Sequence, residues 1–186
     1  MSEFSESFHL LTNSVDDAKN LLIRAKLHGF VGDSDNGWAI VLPEGEPFSE
    51  HSELINSNTG ILLQYIFAED HGFGFALYEN TDPVCIYWCD FDKVSENGIN
   101  SGIDTSRLDL NTFTSLLNIK DKLFVLNSVL KPKNEEDIYK INQKFYDIVG
   151  LNPYNVEWVS YHYQQLNQER NEGIQLTEVN RNLCTE

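Results

Sequence analysis

The chain has 186 residues, 41% of them hydrophobic, which suits one compact domain with a sizeable core and argues against disorder. Its 29 acidic and 13 basic side chains give a formal net charge of −16, a balance that repels nucleic-acid phosphates and anionic membrane surfaces and disfavours both as partners. Cys85, Cys89 and Cys184 form no close pattern, the N-terminus lacks a basic n-region, and no apolar run is long enough to span a bilayer, so the sequence reads as soluble and cytoplasmic, without a disulfide framework.

Phe8 to Thr12 is a short strand candidate. Ser14-Val15-Asp16-Asp17 has the form of a capping box, with Asp in place of the usual Glu. Ala18, Leu21, Leu22 and Ala25 then recur at helical spacing until His28-Gly29 supplies a stop. Asn36-Gly37 is a turn dipeptide between a short strand at Phe30-Val31 and a longer one from Trp38 to Leu42, which Pro43 ends. From Glu44 to Thr59 the chain is polar and carries Glu44, Glu46, Glu50 and Glu53 with no Lys or Arg, which predicts an exposed acidic loop holding one turn of helix near Glu50 to Ile55.

Gly60 to Phe91 organises the rest. Three apolar runs, Ile61 to Ala68, Phe73 to Tyr78 and Val84 to Phe91, are separated by Asp70-His71-Gly72 and by Asn80-Thr81-Asp82-Pro83, the pattern of an antiparallel meander. Gly74 and Ala76 leave one face of the middle strand small, a place for the N-terminal helix to lie. Asp92 to Ser106, rich in Ser, Asn and Gly, reads as a linker.

Beyond it the hydrophobic period becomes helical. Leu110, Phe113 and Leu117 fit one helix, and Leu123, Leu126, Val129 and Leu130 fit a second ended by Pro132. Asn134 caps a third, with Ile138, Ile141, Phe145 and Ile148 as its stripe and Gly150 as its stop. Pro153 to Gln168 predicts a fourth, with Val156, Val159 and Tyr163 inward and Trp158 at an edge. Tyr161 and His162 then face outward as a surface for a partner or a second copy. The fold class is α+β: an antiparallel sheet of about five strands with an N-terminal helix packed on it over residues 1–95, a segment of about four helices over 107–168, and a loose tail over 169–186.

The chemical motifs are sparse. Asp33, Asp35 and Glu44 occupy positions 1, 3 and 12 of a calcium loop, but Trp38 stands where that loop needs glycine, so an Asn-Gly hairpin with solvated aspartates is the better reading. Cys85 and Cys89, four apart in a strand, lie about 13 Å apart and cannot share a zinc ion or a disulfide without a bulge. They read as small core hydrophobes. The five histidines show no metal-binding spacing, and no phosphate-binding or nucleophile-elbow motif is present, so no cofactor is expected. His71, at a hairpin tip after Glu69 and Asp70, is placed for a raised pKa.

Charge asymmetry is the strongest functional signal. Residues 1–100 hold 17 acidic and 4 basic side chains, whereas 101–186 hold 12 and 9. Asp33, Asp35, Glu44, Glu46, Glu50 and Glu53 are therefore the candidate partner-binding residues, an acidic surface for a basic protein, as in an immunity- or inhibitor-type protein. The alternative is a small enzyme or ligand-binding protein with a site between sheet and helices, drawing on Asp90, Asp92, Cys89 or His71. The first requires the six carboxylates on one connected patch, and the second a concave pocket into which ionisable groups converge.

Overall fold

The computed structural model describes residues 4–33, 35–153, 156, 159–166 and 176–180. They form a mixed α+β structure around one antiparallel sheet of eight strands in the order β7-β6-β5-β4-β1-β3-β2-β8. The strands are β1 (Ser5–Leu11), β2 (Gly29–Asp33), β3 (Trp38–Pro43), β4 (Ile61–Ala68), β5 (Gly72–Glu79), β6 (Asp82–Asp90), β7 (Ile103–Asp104) and β8 (Leu176–Val179). The meander β4-β5-β6 expected from the sequence is present and antiparallel, with Tyr65 opposite Phe75 and Phe75 opposite Tyr87.

The strand count is eight, not about five. β7 lies inside the Ser/Asn/Gly stretch and β8 inside the polar stretch after Asn167; both are edge strands, specified by a partner rather than by their own hydrophobic pattern. The supposed linker also holds two short helices, α3 (Phe91–Asn97) and α4 (Ile99–Gly102), nucleated when the Asp90 carboxylate accepts the Lys93 N–H at 2.9 Å and buries Phe91 and Val94.

Helices cover both faces of the sheet. On one, α1 (Val15–Ala25) lays Ala18, Leu21, Leu22 and Ala25 on Phe8, Leu10, Val31, Ala39 and Val41, with α2 (Ser52–Asn56) contributing Leu54. Its start is not the capping box expected from Ser14: Thr12 Oγ1 donates to Asp17 at 2.6 Å and accepts from the Ser14 N–H at 3.1 Å. α1 lies on β1, β3 and β2 and not over Gly74, because the Trp88 indole already fills the space above that glycine.

The other face carries the larger core. Leu63, Tyr65, Phe73, Phe75, Leu77, Cys85, Tyr87 and Cys89 meet α5 (Leu110–Leu116), α6 (Leu123–Val129), α7 (Glu135–Ile138) and α8 (Ile141–Val149) through Phe113, Leu126, Ile138, Ile141 and Phe145. Phe145 stacks on Phe75 with centroids 4.4 Å apart, and Trp38 donates its indole N–H to the Val149 carbonyl at 3.2 Å.

The helical arrangement also departs from the sequence expectation. The helix capped by Asn134 is two pieces, α7 and α8, broken at Tyr139-Lys140. Of the fourth helix, α9 (Tyr161–Leu166) is the α-helical part among the described residues. Val159 instead lies beside β1, its carbonyl accepting from Glu6 N at 3.1 Å and its N–H donating to Ser5 Oγ at 3.3 Å, so bonds to β1 replace helical ones. Trp158, the Tyr163 side chain, Cys184 and most of the expected tail lie outside the described residues. Among the described residues no helix is long and apolar enough to cross a membrane.

Candidate functional site

The antiparallel registers bring several chain reversals to one end of the sheet. β1 begins there at Ser5, β3 ends there at Pro43, β4 and β5 turn there through Glu69-Asp70-His71, and β6 ends there at Asp90. Between Lys26 and Lys93 the sequence has twelve acidic side chains and no Lys or Arg. Glu46 and Glu50 in the loop after β3, and Glu69, Asp70 and Asp92 around the hairpin tip, all reach this end and are exposed.

Aromatic rings join the two acidic segments. The Phe48 ring meets Phe4 edge-on with centroids 5.4 Å apart, and Phe4 stacks on His71 at 6.2 Å. Phe4 and Phe48 are 41% and 43% exposed, so the carboxylates surround a partly open apolar centre. His71 is held by Asp92 at 2.9 Å and Asp70 at 3.3 Å, and its pKa is raised above the ordinary value first by the Asp92 hydrogen bond and then by the Asp70 charge.

A buried carboxylate fixes the loop beneath this centre. Glu6, on β1, accepts the Phe48 backbone N–H at 2.7 Å on Oε2 and the Gln64 side-chain N–H at 2.7 Å on Oε1. His51 Nε2 lies 3.3 Å from the same Oε2, and its ring packs edge-on against Phe8. The loop takes left-handed backbone at Gly45 (φ 145°), Phe48 (φ 64°) and His51 (φ 44°). For a bulky residue such as Phe48 that conformation is an outlier, costing about 1–3 kcal/mol, and it persists only where surrounding contacts over-determine it.

The six carboxylates singled out in the sequence do not all meet. Glu46, Glu50 and Glu53 are exposed. Glu44 is half-buried and structural, its Oε1 accepting the His28 N–H at 2.8 Å. Asp33 ends β2 opposite Ala39, at the far end of β3 from Glu44 and roughly 17 Å away by strand length; Asp35 follows in the adjoining turn. The side chains of Asp33 and Asp35 lie outside the description. Other residues take their place: Phe4 and Phe48, which the sequence did not single out, and Glu69, Asp70 and Asp92, which it singled out only around His71 and for a site between sheet and helices. The available signal was a phenylalanine between Glu46 and Glu50 in an otherwise polar loop.

A second cluster lies at the same end of β2. His28 Nδ1 is 2.8 Å from the Tyr161 hydroxyl and Nε2 is 2.8 Å from Glu178, while Gln165 donates to the same hydroxyl at 2.8 Å. This chain fastens α9 and β8 to the start of β2. The neighbouring recess between Glu6, His51, Ser160 and His162 holds about 10 Å³, room for about one water and none for a substrate. His162 is exposed, while Tyr161 is committed to these bonds. Cys85 and Cys89 are buried in the sheet core, where burial pushes their thiols up to about 12 and about 11, so neither is a thiolate near neutrality.

Comparison of the chain with protein-family models, with curated proteins and with solved structures finds no match.

Proposed function

We propose that this protein binds a basic protein partner through the acidic end of its sheet, with Phe48 and Phe4 as apolar anchors and Glu46, Glu50, Glu69, Asp70 and Asp92 as the charged surround. A small cytoplasmic inhibitor of immunity type is the concrete form of this reading. The observation that carries it is Phe48: a large ring, 43% exposed, on left-handed backbone whose N–H is held by the buried carboxylate of Glu6. Strained backbone and a buried charge maintain an aromatic side chain partly in water. Plain solubility needs acidic residues but has no need of that ring.

The electrostatics fit the same role. With Lys93, the one lysine beside them in sequence, already paired to Asp90, the exposed carboxylates speed encounter with a cationic surface, while desolvated aromatic contacts set the dissociation rate. The test is capture from native lysate at low and high salt, comparing the wild type with Glu46→Gln/Glu50→Gln and with Phe48→Ala. Glu44 is left intact because it holds the His28 backbone. The expected result is a basic protein retained by the wild type, released by salt and lost from both variants. Equal recovery on all three proteins would reject the proposal.

A further inference from the structure

The acidic chain carries a local region of opposite sign in its helical half. Residues 107–133 contain five basic and two acidic side chains, net +3 in a chain of net −16. α5 and α6 flank a cleft there of about 660 Å³, with Leu110 and Phe124 as apolar lining, Asn111 and Asn127 as amides, and Lys120 and Lys131 as its cations. Phe124 is 83% exposed and Val125, beside it, 50%. The two acids at the cleft are already engaged: Asp109 caps α5 through Thr112, and Asp121 lies 3.6 Å from Lys122. Among the described residues no carboxylate lies within ion-pair distance of Lys120 or Lys131.

A ligand for such a cleft has a bulky apolar group between negative charges. The chain contains that chemistry in Glu46-Pro47-Phe48-Ser49-Glu50, an exposed loop whose aromatic ring stands two residues from a carboxylate on either side. Within one molecule the loop is tied to β1 by Glu6 and is not free to reach the cleft. We infer that the α5–α6 cleft receives the Glu46–Glu50 loop of a second copy, with Phe48 against Phe124 and the two glutamates beside Lys120 and Lys131. The contact joins two different surfaces, so each copy keeps one of each unused and association extends head to tail. Repulsion between two strongly negative molecules opposes it, which makes the association weak and dependent on screening of the net charge.

This inference shares with the proposed function only the availability of the Glu46–Glu50 loop, and its test contains no basic partner, so the two can fail separately. Sedimentation velocity is run across a concentration series at about 0.15 M ionic strength, where the screening length is about 8 Å. The wild type is expected to gain mean mass with concentration. Lys120→Gln/Lys131→Gln and Glu46→Gln/Glu50→Gln, all at solvent-facing positions, are each expected to stay monomeric alone. An equimolar mixture of the two variants retains one intact loop and one intact cleft, and is expected to form one-to-one dimers and stop there. A wild type that stays monomeric into the millimolar range, variants that associate as the wild type does, or a mixture without dimers overturns the inference.

Discussion

His9 shows how a single buried group sets a property of the whole chain. It lies on β1 in the sheet core, edge-on to Trp38, with Nε2 2.9 Å from Ser7 Oγ and with no hydrogen-bond partner for Nδ1 among the described residues. Burial lowers its pKa from 6.5 to about 3. The unfolded chain therefore takes up a proton first as the pH falls, and stability is lost from about pH 6.5 downward toward 3, at up to about 1.4 kcal/mol per pH unit for this one group. In His9→Asn the slope of unfolding free energy against pH in that window is expected to fall by about one proton, measured by urea titration at several pH values. An unchanged slope would show that His9 takes its proton in the folded state. The sequence marked β1 as a strand from Phe8 to Thr12 but gave no sign that Glu6, Ser7 and His9 would be inside. Their burial follows from β1 lying in the middle of the sheet with cover on both faces, a consequence of strand order that local pattern does not encode.

At the scale of elements, turn chemistry was legible and edge pairing was not. Asp-His-Gly and Asn-Thr-Asp-Pro located the meander, and a helical stripe located the four inward residues of α1, because each is a local signal. β8 has no such signal and exists through its ladder to β2 and the His28–Glu178 contact. The acidic loop after β3 is the intermediate case: its charge was readable, its anchorage was not. Glu6→Ala removes the acceptor for Phe48 N, Gln64 and His51 together, leaving buried donors unpaired. The expected cost is roughly 3 kcal/mol, read as a lower urea midpoint, since removing one member of a buried network strands the others. The Phe48 amide is also expected to lose hydrogen-exchange protection more than amides of β5, because the left-handed loop relaxes while the meander does not. Uniform loss across both would mean that Glu6 supports the sheet as a whole and not the loop.

For the whole molecule, the distribution of charge matters more than its sum. Five ion pairs within the helices and turns, Lys19–Asp16, Lys93–Asp90, Lys122–Asp121, Lys140–Glu136 and Lys144–Asp137, take up much of the described positive charge locally. The sheet end around Phe4 and Phe48 gathers the exposed carboxylates Glu46, Glu50, Glu69, Asp70 and Asp92, with Asp70 and Asp92 on His71 and Lys93 paired to Asp90. Their mutual repulsion is part of the folded state and is relaxed in the unfolded chain, so it lowers stability most where screening is weakest. Raising the ionic strength from about 0.01 M to about 0.15 M shortens the screening length from about 30 Å to about 8 Å. The thermal midpoint is then expected to rise, by about 2–4 °C for each kcal/mol of repulsion removed in a chain of this size. Glu46→Gln/Glu50→Gln is expected to raise the low-salt midpoint and shrink the salt increment, whereas Lys120→Gln/Lys131→Gln, which deletes charge of the minority sign, is expected to lower the one and enlarge the other. Calorimetry of the three proteins at both salt concentrations separates the cases. A midpoint that falls with salt, or two variants that move the same way, would mean that the acidic end is dispersed enough in solution to carry no concentrated field, and a steering role for it would lose its physical basis.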